Sequence, residues 1–261
     1  MNNRTARVFK DLVSPAEEKR KTARRQVAKM GSALVPELML AAESEDPNLR
    51  WEAVDALGAL GDRRATAVVL KRVLEDEDVH VRWRSIWAIT CLDDGSVVFQ
   101  LLNALRNGGE REARNAAVAL SVFGRTEAVP KLLEGLKGDP FQQWESVNAL
   151  GSVHNEETIP ALIDTLTTGP PELRREAALS LGRTGRAEVA DPLSAALRSD
   201  VDPEVRWRAA MSLGRLGRRI AAGELHEALE IEQDQAVREQ IVSALRALEE
   251  EAGTRADQPP R

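Results

Sequence analysis

The residues through which this chain could do chemistry are few. Three histidines (His80, His154, His226) and one cysteine (Cys91) are its whole supply of imidazole and thiol. A Cys/His metal centre needs three or four ligands at short spacing, which four scattered residues cannot supply. A single cysteine also excludes an internal disulfide. Only one His-Glu neighbour pair occurs, His226-Glu227, and His226 reads as a surface residue of a helix. Glycine-rich phosphate loops, a nucleophile elbow and zinc-finger spacing are all missing. No metal, no cofactor and no catalysis of its own are therefore expected.

What does recur is an arginine. Arg20, Arg50, Arg82, Arg114, Arg174, Arg206 and Arg238 follow one another at intervals of 29 to 32 residues, with Gln143 standing in once. In most copies an acid stands four residues before that position: Asp46, Asp78, Glu110, Asp139, Asp202 and Asp234. Pairing within a copy fails at Ala16/Arg20, Asp139/Gln143 and Pro170/Arg174. Pairing each arginine with the acid of the following copy survives as Arg20–Asp46, Arg50–Asp78, Arg82–Glu110, Arg114–Asp139, Arg174–Asp202 and Arg206–Asp234. The one break, Gln143–Pro170, loses both partners together. The pattern predicts a structural ladder across the copies, each rung worth about 1.5–3 kcal/mol where desolvated. A row of arginines for phosphate is the functional alternative.

A fixed period near 31 residues marks a solenoid of stacked repeats, so the elements that position these side chains can be read off one copy. Asp-Pro starts a helix, the carboxylate capping free N–H groups and proline suiting the first turn. Apolar residues one before the arginine and three, six, seven and ten after it (Leu49, Ala53, Ala56, Leu57, Leu60) make one stripe of a helix. Gly58, Gly61, Gly151, Gly182, Gly185, Gly214 and Gly217 then read as helix ends or turns. A second helix follows, with Pro36, Pro130, Pro160 or Pro192 in its first turn. Seven helix pairs are expected over 16–250, preceded by a basic capping helix within 1–15. A lone helix over 236–250 closes the array, and 251–261 is expected to be disordered.

Residues one, two, five and nine after the arginine fall off that stripe. This face carries Trp51, Trp83, Trp144 and Trp207, each directly after the arginine position, with Trp87 one turn beyond Trp83. Around them stand Asp55, Arg84, Asn148, Leu179, Arg208 and Met211, with Glu52, Glu145, Glu176, Arg183 and Arg215. Tryptophan in an exposed apolar patch is a common anchor for a partner protein. Repeats descend from one another, so the row is also open to a packing reading, with each ring lying over the gap between adjacent helices.

The stretch Asp202–Gly217 resembles the HEAT-like repeat family of the phycobilin-lyase type, whose unit reads roughly D-P-x-V-R-x-x-A-A-x-A-L-G-x-[IL]-G. The resemblance covers about residues 16–250. It implies an all-α fold, a right-handed α-α superhelix in which the helix bearing this motif lines a concave groove. It further implies a partner protein or peptide in that groove, or a phycobilin lyase/isomerase-type subunit. HEAT-like alkylpurine DNA glycosylases use concave Trp and Asp residues, which Trp51 and Asp55 could imitate. HEAT-like deoxyhypusine hydroxylase needs several His-Glu pairs that this chain lacks.

Composition agrees with helices: 43% hydrophobic and 30% charged residues accompany only 3% aromatics and no tyrosine. A net charge of −6 disfavours nucleic acid as a partner, although Arg4, Arg7, Lys10, Lys19, Arg20, Lys21, Arg24, Arg25 and Lys29 make the start basic. No apolar run is long enough to span a bilayer and the N-terminus lacks a signal-peptide core, so a cytoplasmic location is expected.

Overall fold

The computed structural model describes residues 3–153 and 155–256, and all its regular elements are helices. Helix α1 (Asn3–Leu12) precedes seven pairs. These are α2 (Glu17–Met30) with α3 (Val35–Ala41), α4 (Pro47–Leu60) with α5 (Thr66–Glu75), and α6 (Val79–Cys91) with α7 (Ser96–Asn107). They continue with α8 (Glu110–Val122) and α9 (Val129–Gly135), α10 (Pro140–Leu150) and α11 (Thr158–Thr168), α12 (Pro171–Thr184) and α13 (Ala190–Ser199), and α14 (Pro203–Leu216) and α15 (Arg218–Ile231). Helix α16 (Gln235–Ala256) closes the array. It runs on into the stretch expected to be disordered; the rest of that stretch, 257–261, lies outside the described residues. The helices form two compact units, residues 1–123 and 124–261.

The acids that precede the arginines start the helices. Asp46 accepts from Asn48 N, Asp78 from His80 N and Val81 N, Asp139 from Phe141 N and Gln142 N, Asp202 from Glu204 N, and Asp234 from Ala236 N and Val237 N. Each carboxylate thereby satisfies backbone donors that have no partner within the helix. Prolines follow at Pro47, Pro140 and Pro203, where a missing N–H costs nothing. Before α5, α9 and α13 a single 3₁₀ turn buries Ala65, Ala128 and Val189 completely, anchoring the start of the second helix.

The buried arc of the first helices is wider than the single stripe predicted. The position four after the arginine is buried as well, at Val54, Ile86, Val118, Val147, Ala178 and Ala210. A repeat helix is flanked by its own partner and by neighbouring repeats, so more than one side leaves water. Within the second unit α12 packs on α14 and α14 on α16; in the first, α4 packs on α6.

The glycines read as helix ends or turns divide into two groups, one of which lies inside helices. Gly61 and Gly185 do close helices, at φ 64° and 63°, left-handed values that a side chain disfavours. Gly58, Gly182 and Gly214 lie inside α4, α12 and α14. A Cβ on Gly58 would stand 2.8 Å from Ala88 Cα, and one on Gly214 would stand 2.9 Å from Ala244 Cβ. Gly151 is in the same register and would meet Ser180 Cα at 2.7 Å. The glycine eight places after the arginine therefore opens a notch for the small residue six places after the next one. Thr90 and Val122 hold that register in α6 and α8.

Candidate interaction surface

Arg50, Arg174 and Arg206 do bridge consecutive repeats, but to different acids from those predicted. Arg50 grips Asp76 through Nε and Nη2, both at 2.8 Å. Arg174 holds Asp200 in the same way, and Arg206 holds Glu232 at 2.7 and 2.9 Å. In each case the partner lies two residues before the predicted Asp78, Asp202 or Asp234. The predicted carboxylates cap the helix starts, while the upstream acid sits in the loop that closes the previous helix, within reach of the guanidinium. Arg175, not Arg174, reaches Asp202, with Nε 2.7 Å away. Arg20 donates to the carbonyls of Ser14 and Pro15 instead of to Asp46.

The remaining Nη1 edge explains why the arginine recurs even where no acid is available downstream. It donates to loop carbonyls upstream: Arg50 to Ser44 and Glu45, Arg82 to Asp76 and Glu77, Arg206 to Asp200, and Arg238 to Glu232 and Leu229. Asp200 therefore receives Arg174 on its side chain and Arg206 on its backbone. Arg50, Arg174 and Arg206 each tie two successive inter-repeat loops, and the planar fork is what allows one residue to do both.

These pairs are mostly buried, and their titration follows. For Asp200 and Glu232 burial is the largest single influence and works against the anion. It is outweighed by the bonds from Arg174 and Arg206 and by backbone N–H donors, so both carboxyls are held below their ordinary values of 3.8 and 4.5. A carboxyl depressed on folding stabilises the folded state above its unfolded pKa, and that contribution is lost as pH falls through the folded pKa. Thermal melting of the chain should therefore be flat near neutrality and should fall as the pH drops through the carboxylate range and below it. The Glu232→Gln variant should show a shallower fall, which a melting series from pH 7 to pH 2.5 would read.

The tryptophan face is partly taken up by a second polar seam. Glu52, Glu145 and Glu176, expected on an exposed face, are buried. Two residues after the arginine is the edge where one first helix meets the next, so this position leaves water. Arg24 of α2 donates to both oxygens of Glu52, with Nε at 2.9 Å. Arg84 of α6 forms an ion pair with Asp55 of α4. In the second unit Asn148 donates to Glu176 at 2.8 Å, and Arg183 and Arg208 approach the same carboxylate at 3.6 and 3.8 Å. Asp55, Arg84 and Asn148, predicted to meet a partner, thus spend polar atoms on neighbouring repeats, while Arg208 donates to Glu204 of its own helix at 2.9 Å.

The aromatic rings divide accordingly. Trp51, Trp83, Trp144 and Trp207 are half-buried, and Trp87 is exposed over 39% of its surface. The Arg84 guanidinium lies 3.9 Å from the Trp87 ring centre and 5.1 Å from that of Trp51; Arg24 reaches Trp51 from the other side at 5.9 Å. Burial, the largest influence on Arg84, pushes its pKa down, yet a guanidinium keeps its charge in a protein. Trp51 is thus a packing ring within the seam, and Trp87 is the outer ring of the stack. Beside this stack a cavity of about 280 Å³ opens among Leu12, Arg24, Val27, Glu52, Asp55 and Leu60. In the second unit Trp144 stacks on Phe141, ring centres 6.2 Å apart, while Leu179 and Met211 are half-buried.

A family profile described as HEAT repeats matches residues 6–90, 98–182, 142–206 and 190–256. The chain belongs to the HEAT-repeat family. No curated protein matches it in sequence. Among solved structures this HEAT-repeat chain is similar to YibA of Escherichia coli, at 19% identity and TM-score 0.52, over 95% of this chain and 93% of that one. It is also similar to the complex of CpcE and CpcF of phycocyanin lyase from Nostoc sp. PCC7120, at 23% identity and TM-score 0.50, over 92% and 93%. Importin beta is similar at 15% identity and TM-score 0.56, over 96% of this chain and 45% of that one. At these identities the likeness is one of fold. Among the described residues no group of His, Cys, Asp or Glu could hold a metal ion, and no helix is long and apolar enough to cross a membrane.

Proposed function

We propose that this HEAT-repeat chain is a non-catalytic interaction scaffold whose first-helix face holds a segment of a partner protein. The observation that supports this most is Trp87. It is a large ring, exposed, on a rigid helix, backed by Arg84 and Trp51, with Cys91 exposed one turn further on. Rigid, partly desolvated aromatic rings give up little conformational entropy on binding, which is why they anchor interfaces. In the second unit the register of Trp87 is held by Leu179 and Met211, both half-buried.

The glycosylase reading loses its acid, because Asp55 is paired with Arg84. A lyase-subunit reading draws on the fold it shares with CpcE and CpcF; a phycobilin absorbance change on incubation with an acceptor protein would be its signature. The scaffold reading is tested by affinity capture from the native cell extract. Trp87→Ala should reduce a captured partner at least ten-fold while shifting the melting temperature by no more than a few degrees. Undiminished capture, or a collapse of melting in parallel with capture, would sink the proposal.

A further inference from the structure

At α16 the arginine ladder is half made. Arg238 holds the register of Arg206, and its Nη1 donates to Glu232 O at 2.9 Å and Leu229 O at 2.8 Å, as Arg206 does to Asp200 O. At Arg50, Arg174 and Arg206 the Nε–Nη2 edge carries a carboxylate from the next inter-repeat loop. At Arg238 that edge carries no carboxylate among the described residues. Arg238 lines a cleft of about 620 Å³ with Leu229 and Val242 as apolar wall and Arg246 as a second cation. The acid of the cleft, Glu239, accepts from Gln235 at 2.7 Å.

We infer that this cleft is a docking site for an acidic segment of another protein, one of whose carboxylates takes the Nε–Nη2 edge of Arg238. Two observations choose that occupant. First, at Arg50, Arg174 and Arg206 the carboxylate on that edge comes from an acid-x-acid loop: Asp76-Glu77-Asp78, Asp200-Val201-Asp202 and Glu232-Gln233-Asp234. These three loop acids are thereby used, and the equivalent position before α2 is Ser14, so the start of a second copy offers no acid in this register. Second, the position eight after the arginine is glycine where a following helix closes in, at Gly58, Gly182 and Gly214. In α16 it is Arg246, exposed, which blocks close approach of another repeat and sets a second positive charge about 12 Å along the helix from Arg238. The surface suits an acidic strand or loop, and none of its lining residues is shared with the Trp87 site.

The probe is a fluorescein-labelled heptapeptide of the chain's own residues 199–205 (Ser-Asp-Val-Asp-Pro-Glu-Val), followed by fluorescence anisotropy with the full chain. Saturable binding is expected that weakens with salt. It should loosen at least ten-fold with Arg238→Gln, with Arg246→Glu, and with a peptide carrying Asp200→Asn, and should be unchanged by Trp87→Ala. Arg246 is exposed, so that variant decides the matter even if Arg238→Gln disturbs α16. The absence of saturable binding at millimolar peptide, or equal binding by Arg246→Glu or the Asp200→Asn peptide, would overturn the proposal. So would sedimentation of the parent chain as a dimer that Arg246→Glu dissociates, which assigns the cleft to a second copy. Binding strengthened ten-fold on removing residues 257–261 would overturn it too, by assigning the cleft to the chain's own tail.

Discussion

Arg206→Met is expected to destabilise the second unit by about 3 kcal/mol, the scale for removing one partner of a buried ion pair. The methionine stem preserves most of the packing of the arginine side chain, so the loss isolates the guanidinium. Three bonds disappear, two to Glu232 and one to the carbonyl of Asp200. The side chain of Glu232 is only 5% exposed, so the anion left behind cannot recover its hydration. Arg206→Lys should fall between parent and Met, because an ammonium replaces the charge but cannot reach both loops at once. Adding Glu232→Gln to Arg206→Met should return part of the loss, since the stranded charge is what makes the single change costly. Chemical denaturation of the three variants measures all of this. A loss below 0.5 kcal/mol for Arg206→Met would show that the ladder is ornamental.

The second large effect is at Gly182. Gly182→Val should cost about 3 kcal/mol, the upper part of the range for forcing volume into a packed core. A Cβ there already stands 2.5 Å from Ser212 Cβ and 3.0 Å from Ser212 Cα, so α14 as a whole must retreat. Retreat also strains the bond from Ser212 Oγ to Ala178 O, which is 2.8 Å long and crosses between α14 and α12. Gly223, inside α15 with nothing within 4 Å of its Cβ position, is the matched control. By helix propensity alone Gly223→Ala should stabilise by about 0.5–1 kcal/mol. The two substitutions should therefore differ in sign in the same melting experiment. Equal, small effects at both positions would mean that α12 and α14 are not in contact at the notch.

Both cases show where reading the sequence succeeds. The interval between arginines, the Asp-Pro starts and the apolar stripe were enough for the helix pairs, their number and the HEAT-repeat fold, since each is a local property of one copy. That arginines act between repeats was also read from the sequence, and Arg50, Arg174 and Arg206 do so, although the acid register used to argue it was two residues too late. The partners were not legible. Asp76 and Asp78 are both acids in one loop, and which of them meets Arg50 depends on how the N–H groups of α6 claim the second. Glycine in an amphipathic pattern reads as a terminator, and nothing in a single copy says that Gly182 sits in a helix interior under Ser212.

The tryptophan row shows the same division. Sequence alone determined that Trp51, Trp83, Trp144 and Trp207 share a register and that Trp87 lies one turn outside it, because register is set by 3.6 residues per turn. Only the tertiary structure decided which of these rings is exposed, because that depends on the side chains arriving from neighbouring helices. Arg24 and Arg84 close over Trp51 from α2 and α6, Glu52 withdraws into the seam, and Trp87 is left with water on one side. A residue's face is a property of its own helix; its exposure belongs to the repeats on either side.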